Sequence, residues 1–354
     1  MKTIKIADRK IGGSNPAFIV AELSANHLKR YDLAVKTIEA AADAGADAIK
    51  LQTYTPDTMT INCDSEYFRI KQGTLWDGKT LYELYKEAYT PWEWQPKLKK
   101  IAEDLGLIFF STPFDKTAVD FLEEMDVPAY KIASFEITDI PLIEYVASKG
   151  KPVIISTGIA TLCDIEEAVI ACKRAENEQI ALLKCTSAYP APLEEINLRT
   201  IPHMAETFKT VVGLSDHTIG ISVSIAAVAL GAKIIERHLI LDRNLGGPDA
   251  AFSLEPEEFK SMVRAIRDVE KALGKVSYEL TERIKRSREF SRSLFVVEDV
   301  KAGEIFTEKN VRSIRPGHGL HPKYLKEIIG RKSRKNIKKG TPMSWNLIDW
   351  GEKV

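Results

Sequence analysis

Two histidines stand near the ends of consecutive apolar runs. His217 closes TVVGLSDH (210–217), and His238 falls late in KIIERHLI (233–240). Two imidazoles on neighbouring elements can share a divalent cation. Each has a polar residue two places before it, Ser215 and Glu236 respectively. Ligand softness alone points to zinc; with oxygen or water completing the shell, Mn²⁺ or Mg²⁺ is equally allowed. The competing reading of each histidine is structural. Lys50 and Lys131 also follow apolar runs, and an enclosed lysine needs a partner. Three readings stay open for them: ion pairs with Glu22, Glu136 or Glu236; a phosphate clamp completed by the hydroxyls of Thr112, Ser134, Ser187 and Ser215; or a Schiff-base lysine.

These residues share one kind of place. Eight short β-rich runs, 17–23, 47–54, 107–113, 129–134, 152–157, 180–187, 210–217 and 233–240, each begin apolar and finish polar. On a strand, residues i and i+2 share a face. Lys50 with Gln52, Ser215 with His217, and Glu236 with His238 can therefore point the same way. Amphipathic helical patterns such as 32–45 and 164–176 separate the runs, which is the signature of βαβ units and a parallel sheet. Eight such units in ~250 residues predict a (β/α)₈ TIM barrel with its site at the C-terminal strand ends. A doubly wound sheet is the alternative, but no G-x-G-x-x-G follows the first strand.

The bulk properties bound the rest. The chain has 354 residues, 44% apolar and 28% charged, with 50 basic and 50 acidic side chains. Global charge therefore recruits neither nucleic acid nor membrane, and an anionic ligand needs a local cationic cluster. The four cysteines are far apart and form no C-x-x-C pair, which predicts reduced thiols and a cytoplasmic enzyme. The N-terminus lacks a signal-peptide pattern, and the apolar run 219–230 is too short to span a bilayer.

Two regions break the rhythm. Residues 64–90 form an aromatic-rich insertion after the second run, read either as a functional, lid-like loop or as a surface helical hairpin packed by its own aromatics. The predicted divisions are a catalytic barrel over 1–275, a charged linker over 276–289 and a second, β-rich unit over 290–354. Between 311 and 340 that unit has ten Lys/Arg and one acidic residue, Glu327. Most of this charge is read as a solvated basic face, with part of it attracting an anionic substrate.

Several segments carry a resemblance. AELSANH (21–27), AGADAIKLQTYTPD (44–57), FFSTPFD (109–115), AYKIASFE (129–136), CTSAYPAP (185–192), GLSDHTIG (213–220) and GAKIIERH (231–238) resemble the sialic (nonulosonic) acid synthase family. VKAGEIFTEKNVRSIRPGHGLHPK (300–323) resembles the antifreeze-like SAF domain, of β-clip type, that closes these enzymes. Within the family, LQTYTPDTMT, GTLWDGKTLYELY and YTPWEW look most like the pseudaminic branch; the N-acetylneuraminic and legionaminic branches are the alternatives, and a carbohydrate-binding protein keeping the fold is the non-enzymatic one.

The resemblance implies a transferase that joins phosphoenolpyruvate to an open-chain amino sugar, for this branch 2,4-diacetamido-2,4,6-trideoxy-β-L-altropyranose, with release of phosphate by C–O cleavage. It implies that His217 and His238 hold a divalent metal, Mn²⁺ in the family, with Mg²⁺ or Co²⁺ as substitutes. Lys50, Thr112, Lys131, Ser134 and Ser215 match the phosphoenolpyruvate clamp. Ser187 stands where relatives have a phosphate-holding Asn. Glu22 matches a base for the attacking water, Glu136 and Glu236 further active-site acids, and Gln52 and Tyr189 substrate contacts. Arg315 matches an arginine supplied to the partner's site, so a domain-swapped homodimer is expected. The chain departs from the family pattern at Leu28-Lys29-Arg30, where a Gly-containing turn is usual, and at Arg237, where Lys is common and where the side chain is expected to face away from the mouth.

Overall fold

The computed structural model describes residues 2–71, 73 and 76–351. Its strands are β1 (Thr3–Ile6), β2 (Arg9–Gly12), β3 (Phe18–Glu22), β4 (Ala48–Thr53), β5 (Ile108–Pro113), β6 (Tyr130–Ile132), β7 (Val153–Ser156), β8 (Ile180–Cys185), β9 (Val211–Asp216), β10 (Ile234–His238), β11 (Ser293–Val296), β12 (Val311–Ile314), β13 (Lys332–Ser333) and β14 (Ile348–Asp349). The helices are α1 (Tyr31–Asp43), α2 (Pro56–Met59), α3 (Leu81–Ala88), α4 (Gln95–Asp104), α5 (Lys116–Glu124), α6 (Ile140–Ala147), α7 (Leu162–Arg174), α8 (Thr200–Phe208), α9 (Ser222–Ala229), α10 (Pro256–Leu273), α11 (Glu282–Arg288) and α12 (Leu325–Ile328). Strands β3 to β10 close into a parallel barrel in which β10 pairs with β3. This is the expected (β/α)₈ architecture, with each of the eight runs yielding one barrel strand.

Alternation along the strands sorts the side chains into two layers. Ile19, Ala21, Ile49, Leu51, Phe109, Tyr130, Ile155, Leu182, Leu214 and Ile235 pack outward against the helices. Phe18, Val20, Ala48, Phe110, Ala129, Ile154, Ala181, Leu183 and Ile234 fill the barrel interior. Continuing the inward series toward the strand ends reaches Glu22, Lys50, Gln52, Thr112, Lys131, Ser215, Glu236 and His238. The apolar-to-polar switch along each run is thus the passage from packed interior to mouth.

The lower end of the barrel is closed by a β1–β2 hairpin that sequence patterning did not single out. Its antiparallel register pairs Ile4 with Ile11, and Ile4, Ile6 and Ile11 join the interior cluster. Arg237 does face away from the mouth. It is fully enclosed, 2.9 Å from Asp216 Oδ1, and donates to the Gly220 carbonyl at 3.0 Å. Asp216 also accepts from Ser224 Oγ at 2.6 Å, so this network ties the β9–α9 loop to the strand below it. At the departure after His27, Leu28 and Lys29 take left-handed conformations, φ 47° and 56°, which is the geometry a glycine would adopt freely.

The chain divides into two compact units, residues 1–274 and 275–354. The second contains α11, the antiparallel pairs β11–β12 and β13–β14, and a small core of Leu294, Val296, Phe306, Val311, Ile328, Ile337, Met343 and Ile348. Among the described residues, no helix is long and apolar enough to cross a membrane.

Candidate active site

The barrel register sets the site. β10 beside β3 puts His238 opposite Glu22, and β3 beside β4 puts Glu22 opposite Lys50. Gln52 stands opposite Thr112, and Glu236 opposite Ser215.

Side-chain contacts join these residues into one network. Glu22 forms an ion pair with Lys50, and its other oxygen accepts from Gln52 Nε2 at 3.4 Å. Lys50 Nζ donates to Thr112 Oγ1 at 3.1 Å and lies 3.8 Å from Glu236 Oε1. Lys131 Nζ lies 3.4 Å from the same oxygen, which also accepts from Ser215 Oγ at 3.2 Å. Both lysines and both carboxylates are almost fully buried. Two cations and two anions so enclosed neutralise each other without a ligand, and an incoming multianion would compete for the lysines. Burial pushes the Glu22 carboxyl up to about 7 against the pull of Lys50. It also lowers the ammonium pKa of Lys131, with Glu236 opposing.

A second group of donors lies beside the first. Ser134 Oγ accepts from the Gly158 backbone N–H at 3.1 Å. A Cβ on Gly158 would collide with Ser187 Oγ and sit 2.7 Å from Ser134 Oγ. Gly158 therefore lets the backbone after β7 approach both hydroxyls. Sequence reasoning passed over it, because a glycine carries no side-chain chemistry and only the close approach reveals it.

The two imidazoles are neighbours, with ring centroids 5.3 Å apart, and Phe252 packs edge-on against both. His217 Nδ1 is 3.2 Å from the Thr186 carbonyl, which leaves its Nε2 lone pair available. The Cys185 thiol lies 3.8 Å from the same Nδ1. His238 Nδ1 is buried without a hydrogen-bond partner, and Asp249 Oδ2 lies 3.8 Å from it. This donor set fits a divalent cation. Among the described residues no third His, Cys, Asp or Glu completes a metal-holding cluster, so further coordination would fall to water or substrate oxygen, as at a catalytic site with open positions. Asp249 is a second residue that sequence reasoning missed; it follows β10 in an irregular loop with no periodicity to flag it.

Glu136, in the 3₁₀ turn directly after β6, has one buried oxygen without a partner, and burial pushes its carboxyl up to about 7. It lines a cavity of about 240 Å³ together with Ser24, Gln52, Tyr189, His238 and Asp249. The Tyr189 ring centroid is 4.6 Å from that of His217. Trp76, Leu84, Tyr85 and Ala88 of the insertion line the same cavity; Gln72, Thr74 and Leu75 of that stretch lie outside the described residues. A larger depression of about 410 Å³ opens at the other end, among Lys2, Gly12, Lys209 and Lys233. Barrel chemistry belongs to the C-terminal strand ends, and the smaller cavity is the one that holds the carboxylates and an imidazole.

The candidate site residues of the barrel all stand at or just after the C-terminal ends of its strands, around this mouth. Arg315 belongs to the second unit, where it follows β12 and is exposed.

Comparison with known proteins agrees with this arrangement. A family model described as "NeuB family" matches residues 37–278, and a SAF domain model matches 291–349. Pseudaminic acid synthase of Campylobacter jejuni is 48% identical over 323 residues, covering 91% of this chain and 94% of its own. Pseudaminic acid synthase of Helicobacter pylori is 48% identical over 335 residues, covering 94% and 98%. Among solved structures, the N-acetylneuraminic acid (sialic acid) synthetase of Leptospira borgpetersenii, in complex with citrate, has a TM-score of 0.73 at 35% identity, covering 81% of this chain and 95% of its own.

Proposed function

The chain belongs to the NeuB family, and from that premise we propose that it condenses phosphoenolpyruvate with 2,4-diacetamido-2,4,6-trideoxy-β-L-altropyranose to give pseudaminic acid and phosphate. The observation that carries the reading is the buried network of Lys50, Lys131, Glu22 and Glu236 beside the paired imidazoles of His217 and His238. A multianion needs convergent cations and hydroxyls, and charge developing at an aldehyde oxygen needs a preplaced positive partner.

In this reading Lys50 and Lys131 bind the anionic groups of phosphoenolpyruvate. Thr112, Ser134, Ser187 and Ser215 donate to its oxygens, and the Gly158 N–H, donating to Ser134 Oγ, leaves that hydroxyl's own proton for the substrate. His217 and His238 would hold the divalent cation, Mn²⁺ by preference. When bound, that ion supplies Lewis-acid polarisation of the sugar aldehyde. A bond forms between C3 of phosphoenolpyruvate and the aldehyde carbon. Glu22, with its raised pKa, takes a proton from the water that attacks C2. The bond between C2 and the bridging oxygen then breaks, phosphate leaves carrying the proton of the C2 hydroxyl, and C2 becomes the ketone. Glu136, protonated near neutrality, donates toward the sugar, while Gln52 and Tyr189 orient it. Glu236 holds both lysines in register through its shared oxygen.

The enzyme is proposed to act as a domain-swapped homodimer in which Arg315 reaches the partner's site. Exposed apolar side chains around the mouth support a covering chain: Phe135, Ile159, Leu193 and Ile219, 46–74% exposed, follow β6, β7, β8 and β9 in turn. An apolar rim of this kind marks a surface that is normally covered. The free thiols at all four cysteines fit a reducing, cytoplasmic compartment.

The test is direct. Purified enzyme with phosphoenolpyruvate, Mn²⁺ and the diacetamido altrose is expected to release one phosphate per nine-carbon keto acid formed. A folded enzyme that releases no phosphate with any amino-sugar acceptor would overturn the proposal.

A further inference from the structure

The cavity at the mouth has two chemically different walls. Its base is polar and comes from the barrel ends: Gln52, Glu136, His238 and Asp249. Its outer wall is mostly aromatic and aliphatic carbon, with the phenols of Tyr54 and Tyr85 in it, and most of it comes from the segment between β4 and α4. Tyr54 there packs edge-on against Tyr85, 5.8 Å between centroids, and against Phe114, 5.2 Å. Trp76 tilts against Tyr189 at 5.6 Å, and Leu84 lines the same wall.

This wall is built rather than draped. The helix bearing Leu84 and Tyr85 opens with a reciprocal capping box, in which Thr80 and Glu83 satisfy each other's backbone N–H groups. Trp76 Nε1 donates to the Pro248 carbonyl at 3.3 Å. Trp92 Nε1 donates to the Tyr54 carbonyl at 3.0 Å. The Trp76 ring, the backbone at Tyr54 and the start of the helix bearing Tyr85 are therefore tied down by hydrogen bonds within the chain.

We propose that Tyr54, Trp76, Leu84, Tyr85 and Phe114 are the specificity-determining surface for the acceptor, and that they select a sugar whose far end is deoxygenated and acylated. The inference rests on the condensation proposed above, because that reaction fixes the sugar's direction. The aldehyde carbon must sit at the polar base, beside His238 and within reach of the carbon it joins. The remaining carbons then run outward, and the substituents at C4 and C6 face the aromatic wall. A methyl at C6 and an acetamido methyl at C4 bury apolar surface there. Hydroxyls at those places give up more water than a mostly carbon surface returns in hydrogen bonds. The insertion thus reads the part of the sugar that takes no part in the chemistry.

The experiment is an acceptor panel read as kcat/KM ratios. The wild-type enzyme receives the 2,4-diacetamido-2,4,6-trideoxy sugar, its 6-hydroxy analogue and N-acetylmannosamine. A preference of about 10–100-fold for the first over each of the others is expected. Tyr85→Ala and Trp76→Ala should each cut that ratio about tenfold while leaving the KM for phosphoenolpyruvate unchanged. A wild-type enzyme that uses the deoxy and 6-hydroxy acceptors equally overturns the wall without recourse to any variant, and leaves the condensation standing. Folded variants that lose rate equally on all acceptors also overturn it. Turnover of a diacetamido-6-deoxy sugar of another configuration, with the altro sugar inert, would overturn the proposed substrate yet support the wall.

Discussion

Glu136 shows how one residue's burial becomes a measurable pH effect. Its carboxyl titrates near 7 in the folded protein instead of near 4.5, because burial penalises the charged form. Below pH 4.5 both folded and unfolded chains hold the proton, and the site costs nothing. As pH rises through 4.5 to 7, the unfolded chain ionises first, so the folded state loses stability relative to it. Above about 7 the loss is complete, with a ceiling of about 3 kcal/mol that solvent contact at this half-buried site reduces. The melting-temperature advantage of Glu136→Gln over wild type is therefore expected to grow between pH 4.5 and 7 and level off above. A constant difference across that range would show that the carboxyl is not perturbed. Glu22, at the end of β3 elsewhere in the same mouth, carries the same burial effect with Lys50 opposing it, so only the difference between variant and wild type isolates Glu136.

At the scale of elements, the chain repeatedly ends a helix or turn in a left-handed residue that is not glycine. Lys209, just after α8, has φ 54° and is exposed. The left-handed conformation costs an L-residue about 1 kcal/mol and costs glycine nothing. Lys209→Gly is expected to raise the melting temperature by about 2 °C, measured by calorimetry; a fall would mean that the side chain makes contacts worth more than the strain. Leu28 and Lys29 adopt the same conformation near the site, but there the side chains do more. Lys29 Nζ sits over the Tyr89 ring, and His27 Nε2 lies 3.0 Å from Thr90 Oγ1. These contacts fasten the first βα loop to the end of the insertion. A turn that lacks its usual glycine is thus held by its neighbours. The strands were legible because the apolar-to-polar gradient along each one follows from its position in a barrel. The β1–β2 hairpin was not, because its two short strands stand outside the repeating strand–helix rhythm and show no apolar-to-polar gradient.

At the scale of the molecule, the proposed dimer predicts complementation. Glu22→Ala removes a group from the barrel, and Arg315→Ala removes one from the second unit. If Arg315 serves the partner's site, a mixture of the two inactive variants should recover up to about a quarter of wild-type activity, because a statistical mixture makes half its dimers hybrid and each hybrid has one intact site. Mass spectrometry would verify subunit exchange. Exchange without recovery would assign Arg315 to its own chain's site or to none.

By itself the sequence determined the local pattern: which runs become strands, which side chains share an inward face, and that Lys50, Lys131, His217, Glu236 and His238 gather at strand ends. The i, i+2 rule and the apolar-to-polar switch are properties of neighbouring residues, so they survive without coordinates. Tertiary structure decided what closure of the barrel brings together. Only the β10–β3 pairing sets Glu22 between His238 and Lys50, from opposite ends of the barrel sequence. Only packing shows that Gly158 admits two hydroxyls, that Asp249 stands behind His238, and that an insertion with two plausible readings supplies one wall of the cavity. Such contacts depend on distances between segments far apart in the chain, and no local pattern encodes them.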